Sequence, residues 1–124
     1  MSYIYIASPY THKDPNVVEQ RYLKVMEATA HFLNQGIHVY SPVVHCHELA
    51  HRHNLPKDFE FWQDYNFAML VSAHELWVIM IDGWKESIGV QSELDYGLDY
   101  LIVKYIDPDT FEIVDSNVHV GSRL

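Results

Sequence analysis

Near the N-terminus stands Tyr3-Ile4-Tyr5-Ile6-Ala7, a run of aromatic and β-branched residues that is followed by Ser8-Pro9-Tyr10-Thr11. Side chains of these types pack well on a pleated sheet, and the Ser-Pro pair interrupts the run. We therefore predict a central β-strand over the run and a loop immediately after it.

The residues that follow predict a helix and a second strand. Asp14-Pro15 supplies an N-cap and a first-turn proline, apolar residues recur at helical spacing from Val18 to Leu33, and Gly36 is placed to end the helix. Ile37 to Ser41 is predicted as the second strand. Strand, helix and strand with a short return form a βαβ unit, so these two strands are expected to be parallel.

The same alternation continues in the second half of the chain. Pro42 ends the second strand, and a polar, histidine-rich segment follows, of which Pro42 to His47 is predicted as a loop. Beyond it, the pattern predicts a helix, a strand, a helix and a strand over Asp58 to Val71, Leu76 to Ile81, Gly89 to Tyr100 and Ile102 to Ile106.

The tail from Asp107 has turn-forming residues and then a short apolar run. We predict a small extra strand over Phe111 to Val114 and a loose end over Asn117 to Leu124. The whole pattern predicts one domain over residues 1–124, an α/β fold of three layers around a parallel sheet of about four to five strands.

The composition excludes some classes of function. Lys and Arg number 8 against 17 Asp and Glu, which gives a net charge of −9 and opposes binding to a nucleic acid duplex. No apolar run approaches the roughly 20 residues of a membrane span, and no basic-then-apolar leader is visible. The single cysteine, Cys46, fits a reducing compartment. We therefore expect a cytoplasmic protein without membrane contact.

Parallel sheets bind ligands at the carboxyl ends of their strands, near the point where the strand order reverses. The loops predicted at that edge include Ser8 to Lys13 and Asp82 to Gly89. Glu93 lies just beyond the second of these loops, on the first turns of a predicted helix. A carboxylate in this position is the candidate for chemistry, although a glutamate there is often only a favourable partner of the helix dipole.

Two motifs resemble the nucleoside 2-deoxyribosyltransferase-like superfamily: Tyr5-Ile6-Ala7-Ser8-Pro9-Tyr10 and Ser87-x-Gly89-Val90-x-x-Glu93. Phe61-Trp62, Asp82-Gly83-Trp84 and Ser41-Pro42-Val43-Val44-His45 are similar to a small branch known only as domain of unknown function 1937. The resemblance extends over about residues 3–107. It implies a flavodoxin-like or Rossmann-like sheet, a homo-oligomer, and a pocket for a deoxynucleoside or its monophosphate, without cofactor or metal.

The resemblance also implies an activity, the cleavage or transfer of an N-glycosidic bond. Glu93 would attack C1′ of the deoxyribose and displace the base, and water or a second base would then take the sugar. Tyr5 would hydrogen-bond Glu93 and keep it ionised and oriented. Residues expected to bind the substrate are Ser8, Pro9, Tyr10, His45, Trp62, Asp82, Gly83, Ser87 and Gly89.

At the acid that assists the departing base, this sequence departs from the pattern of the resembling family. The position that is Asp in the resembling family is Asn66 here, and Asp64 lies two residues earlier. Two residues are about 200° apart around a helix, so both side chains cannot face one pocket. Either Asp64 serves through a register shift or the acid is missing, and the alternative function is a protein that binds or sequesters a nucleotide without cleaving it.

A remote alternative comes from His47-Glu48-Leu49-Ala50-His51, which matches the zinc-hydrolase pattern H-E-x-x-H. On a helix the two histidines would share a face, with Glu48 as the general base. Nine histidines in a short chain make a chance match common. The predicted parallel sheet around the segment also disagrees with that class of enzyme.

Overall fold

The computed structural model describes residues 2–114, so the predicted loose end Asn117 to Leu124 lies outside the described residues. In chain order the elements are β1 (Ile4–Ala7), α1 (Pro15–Asn34), β2 (Val39–Tyr40), α2 (Pro42–Arg52), α3 (Phe59–Val71), β3 (Glu75–Ile79), α4 (Ile88–Tyr100), β4 (Ile102–Ile106) and β5 (Ile113–Val114).

These strands form one sheet in the order β2-β1-β3-β4-β5. β1 pairs in parallel with β2 and β3, β3 pairs in parallel with β4, and β5 joins β4 antiparallel. The predicted α/β fold and the parallel pairing of the first two strands are confirmed, and so is the extra strand of the tail. The chain direction across the sheet reverses between β1 and β3, which is where a ligand site is expected.

The alternation of side chains along β1 divides the molecule into three layers. Ile4 and Ile6 pack with α1 residues on one face, and Tyr5 and Ala7 pack with residues of α3 and α4 on the other. The α1-side core includes Val25, Ala28, Phe32, Trp77 and Ile79. The opposite core includes Leu70, Leu76, Val78, Val90 and Leu94. Helices therefore cover both faces of the sheet, as the pattern of the sequence predicts.

The prediction of a loop over Pro42 to His47 is wrong, because α2 begins at Pro42. The Oγ of Ser41 caps this helix by accepting a hydrogen bond of 3.1 Å from the Val44 backbone N–H, and Pro42 occupies a first-turn position that needs no donor. The buried residues of α2 are Pro42, His47 and Ala50, which do not form the apolar stripe that marks a helix in sequence.

Strand limits differ from the prediction for four strands. β1 begins at Ile4 and β5 at Ile113, both later than predicted. β2 is shorter than Ile37 to Ser41, and β3 ends at Ile79, although Ile81 beyond it remains buried in the core. β4 has the predicted limits. Among the helices of residues 2–114, none combines the length and apolar character that crossing a membrane requires.

Candidate functional site

A cavity of about 330 Å³ opens at the carboxyl edge of the sheet, beside the reversal between β1 and β3. Its wall is formed by the loop after β1, by α2, by the start of α3, and by the start of α4. Pockets for small molecules begin at about this size. The cavity therefore lies where the sequence predicts a ligand site, and its size suits a small ligand.

Glu93 reaches this cavity from the second turn of α4. The hydroxyl of Tyr5, on β1, donates a hydrogen bond to Glu93 Oε2. Tyr5 is fully buried, so its ring is fixed by the core and its hydroxyl has little freedom to move. The carboxylate is therefore held in one orientation at the cavity wall by a rigid part of the sheet.

The environment of Glu93 also sets its protonation. Burial raises the pKa of Glu93 to about 8, although the hydrogen bond from Tyr5 lowers it. The tyrosine acts in the predicted direction, but burial has the larger effect. Glu93 is therefore mostly protonated at neutral pH when the cavity holds no ligand, and its ionised fraction grows as the pH approaches 8.

The N-terminus of α4 forms another part of the wall. Ser87 caps this helix, since its Oγ accepts a hydrogen bond of 3.2 Å from the Val90 backbone N–H. Ile88 and Gly89 follow at the cavity wall, and backbone N–H groups in the first turn of a helix have no intrahelical acceptor. This end of the cavity can therefore receive a hydroxyl oxygen or an anionic group.

Two buried polar atoms at the cavity lack partners. Ser8 Oγ and Asn66 Oδ1 are both inaccessible to solvent, and neither has a hydrogen-bond partner among residues 2–114. Leaving a buried polar atom unpaired costs about 1–3 kcal/mol, so such atoms call for an explanation. Both residues line the cavity, so a ligand with a hydroxyl or an N–H group could pair with these atoms once their side chains turn towards it.

The structure brings together only part of the predicted site. Predicted residues that line the cavity are Ser8, Tyr10, Trp62, Asn66, Ser87, Gly89 and Glu93. Tyr5 lies behind Glu93. The other predicted residues, which do not line it, are Pro9, His45, Asp64, Asp82 and Gly83.

These outlying residues lie in several different environments, and Pro9 is fully buried. His45 stacks on Tyr65 and contacts its hydroxyl at 3.0 Å. Asp82 and Gly83 border a second cavity of about 870 Å³ on the α1 side, where Arg21 donates to the Asp82 carbonyl. Asp64 is exposed on α3, whereas Asn66 faces the cavity. The helical geometry therefore places the amide, and not the carboxylate, at the site.

A family model described as Domain of unknown function (DUF1937) matches residues 2–100, which include every residue of the cavity wall. The chain belongs to this family. No curated protein matches the sequence.

In this DUF1937 chain, α2 contributes a wall that the sequence pattern does not predict. Pro42, Val43, Cys46, His47 and Ala50 all line the cavity. The signal that was available is the pair Ser41-Pro42, an N-cap followed by a first-turn proline, which marks the start of a helix. Once α2 is recognised as a helix, the spacing of these five residues places them on one side of it.

The H-E-x-x-H residues lie on α2, and the ring centroids of His47 and His51 are 4.2 Å apart. Both histidines nevertheless have protein contacts: His47 Nδ1 lies 2.8 Å from the Tyr10 hydroxyl, and His51 Nδ1 lies 2.8 Å from the His47 carbonyl. Glu48 pairs with Arg52 on the exposed side. Within residues 2–114, no group of three or more His, Cys, Asp or Glu side chains is arranged to hold a metal ion.

Proposed function

We propose that this protein cleaves or transfers the N-glycosidic bond of a deoxynucleoside or deoxynucleoside monophosphate, with Glu93 as the nucleophile. The observation that carries the proposal is the hydrogen bond from the buried Tyr5 hydroxyl to Glu93, which holds a carboxylate at a ligand-sized cavity. Such a fixed carboxylate is what attack on an anomeric carbon requires.

The reaction would proceed in two steps. An ionised Glu93 oxygen attacks C1′ of the deoxyribose, and the C1′–N bond breaks as its electrons move to the base. Water or a second base then attacks C1′ of the glycosyl ester and regenerates the carboxylate. Whether hydrolysis or transfer follows depends on which of these acceptors reaches the ester.

The resemblance to the nucleoside 2-deoxyribosyltransferase-like superfamily supports the same activity. Its two motifs, Tyr5 to Tyr10 and Ser87 to Glu93, are distant in sequence, but residues from both lie at one cavity. Ser8 and the N-terminus of α4 are suited to the sugar hydroxyls or a 5′-phosphate. Trp62 provides an aromatic surface at the wall for the base.

A second candidate is a protein that binds a nucleotide without cleaving it. The placement of Asn66 at the cavity and of Asp64 in solvent favours this alternative, because an amide can hydrogen-bond a base but cannot protonate it. Both candidates predict ligand binding. Only the first predicts the release of a free base.

The two candidates are separated by incubating the protein with a panel of deoxynucleosides and their monophosphates and measuring free base by chromatography. Glu93→Ala should release none, while Asp95→Asn, an exposed carboxylate on the same helix, should behave as wild type. If wild type releases no base but a nucleotide raises its melting temperature, the protein binds nucleotides without cleaving them. If no compound binds, both candidates fail.

A further inference from the structure

Three side chains form a continuous row that leads from the cavity wall to the surface. The Tyr10 hydroxyl lies 2.8 Å from His47 Nδ1, and His47 Nε2 lies 3.3 Å from Glu19 Oε1. Tyr10 and His47 line the cavity, and Glu19, on α1, is 56 % exposed. The row therefore connects the ligand space to a solvent-accessible carboxylate.

His47 is held firmly within this row. Only 5 % of the residue is exposed, and its ring stacks on Tyr22 with centroids 3.8 Å apart. The titratable groups around it are Tyr10 from the loop after β1, Glu19 and Tyr22 from α1, and Glu48 and His51 from α2. On balance the pKa of His47 is lowered, because burial and the nearby His51 outweigh Glu19 and Glu48, which raise it.

The hydrogen bonds of the row depend on the protonation of His47. When the ring is neutral, a proton on Nε2 suits the Glu19 carboxylate, so Nδ1 must accept the proton of the Tyr10 hydroxyl. When the ring is protonated, Nδ1–H donates to the Tyr10 oxygen instead. The Tyr10 hydroxyl then no longer donates its proton to His47, and its O–H bond can turn into the cavity.

The proposed glycosidic cleavage needs a proton for the departing base, and the other cavity residues do not provide it well. Asn66 has no acidic proton, and Asp64 lies in solvent. The remaining charged residues of the wall, Lys57, Asp58 and Glu86, are exposed to solvent. Tyr10 is the hydroxyl donor at the wall that has a second proton source directly behind it.

We propose that Tyr10 is the acid that protonates the departing base and that His47, oriented by Glu19, supplies the proton to Tyr10. This inference rests on the proposed function, and it names the acid that the sequence lacks at Asn66. Tyr10 would be a catalytic residue in contact with the substrate, and His47 and Glu19 would be positioning residues that act through it.

The protons and electrons balance over the two steps. Glu93 forms a bond to C1′, the electrons of the C1′–N bond pass to the base, the base takes the Tyr10 proton, and Tyr10 takes the Nδ1 proton of His47. Water then attacks C1′ and releases the Glu93 carboxylate. One proton of that water returns through Tyr10 to His47, which restores the starting state.

The test compares two leaving groups. An ordinary purine deoxynucleoside needs a proton to depart, whereas 7-methyl-2′-deoxyguanosine carries a cationic base that departs without one. Tyr10→Phe keeps the ring and should lower kcat/KM about 100-fold or more on the ordinary substrate, which is the usual contribution of an acid, with little change on the methylated one. A purely structural role would lower both rates together.

Glu19→Gln provides a second variant that leaves the cavity wall unchanged, in case Tyr10→Phe does not fold. The active form has His47 protonated and Glu93 ionised, and the pKa of His47 lies below that of Glu93, so the acidic limb of the pH profile follows His47. Because Glu19 raises the pKa of His47, the variant should move this limb to lower pH on the ordinary substrate and lower the maximal rate. The profile on the methylated substrate should keep its shape.

The outcomes separate this inference from the proposed function. Suppose that wild type cleaves and Glu93→Ala does not. If Tyr10→Phe and Glu19→Gln then either match wild type or lose activity equally on both substrates, the proton relay from His47 through Tyr10 is wrong, and Glu93 remains the nucleophile. If wild type cleaves neither substrate, the proposed function fails and the relay with it. Selective loss on the ordinary substrate supports the relay.

Discussion

Tyr5 and Glu93 are 88 positions apart in the chain, and the hydroxyl of the first donates a hydrogen bond to the carboxylate of the second. The tyrosine lies in β1, whose pairing with β3 is fixed from Ile4 to Ala7. The glutamate lies on α4, which packs closely on β3 through Gly97 and Leu76. The geometry of the site therefore depends on the same contacts that hold the sheet and helix together.

Replacing Glu93 by Gln should change how stability depends on pH. The folded protein holds the Glu93 proton more tightly than the unfolded chain, because burial raises the pKa from 4.5 to about 8. The contribution of this bound proton to the free energy of unfolding is fully present below pH 4.5 and is lost as the pH rises through 8. Wild type should therefore lose stability relative to Glu93→Gln by up to about 1.4 kcal/mol per pH unit in that window.

Urea unfolding of both proteins at pH 5 and pH 8.5 measures this difference. Glutamine keeps the size of the side chain and can still accept the Tyr5 hydrogen bond, so the comparison isolates the charge. A stability difference that stays constant between the two pH values would contradict the assignment of a raised pKa.

Tyr5→Phe should shift the pH dependence of catalysis. The Tyr5 hydrogen bond lowers the pKa of Glu93, so its removal should raise that pKa above about 8. The base of 7-methyl-2′-deoxyguanosine departs without an acid. On this substrate kcat/KM should rise with pH in both proteins and should level off at a higher pH in the variant than in wild type. Profiles of wild type and variant that coincide would show that Tyr5 does not tune the nucleophile.

Asp64→Asn and Asn66→Ala should differ in their effect on catalysis, although the two residues are only two positions apart. Asp64 is exposed, so its loss should leave kcat/KM unchanged. Asn66 Oδ1 is buried at the cavity, and a ligand donor left without it should weaken binding by about 1–3 kcal/mol, or roughly 5- to 150-fold in KM. Steady-state kinetics of the two variants decide the question. A large loss of kcat/KM in Asp64→Asn would support the alternative in which Asp64 is the acid.

Gly97→Ala should destabilise the protein more than Gly89→Ala, although both lie on α4. A Cβ at Gly97 would overlap the Leu76 side chain, whereas a Cβ at Gly89 would have its nearest neighbour, Ser87 Oγ, at 3.8 Å. Overpacking of this kind costs about 1–3 kcal/mol. Denaturant unfolding measures the difference, and equal stability of the two variants would contradict the close packing of α4 on β3.

The fold was predictable because its signals are local. Each predicted strand contains a short run rich in β-branched or aromatic residues, and α1 has its N-cap at Asp14 and its glycine at Gly36. α2 was not recognised because its buried side chains include a proline and a histidine, which do not register as an apolar face. Caps were the better guide at this segment, since Ser41 and Pro42 mark its start.

The candidate site was predictable in part. The residues that line the cavity from the β1 loop and from α4 belong to segments with clear motifs. The contact between Tyr10 and His47 joins a loop to a helix 37 positions away, and Glu19 reaches them from a third element. Such a row has no periodicity or fixed spacing in the sequence, so only the packing of α1 against α2 reveals it.

Trapping the glycosyl enzyme tests most directly whether Glu93 is the nucleophile. Wild type is mixed with the best-cleaved deoxynucleoside, quenched in acid during turnover, and examined by intact-mass and peptide mass spectrometry, with Glu93→Gln as the control. We expect one deoxyribosyl unit on the peptide that contains Glu93, and none in the variant. Release of free base without that adduct, or an adduct that persists in Glu93→Gln, would contradict the assignment of Glu93 as the nucleophile.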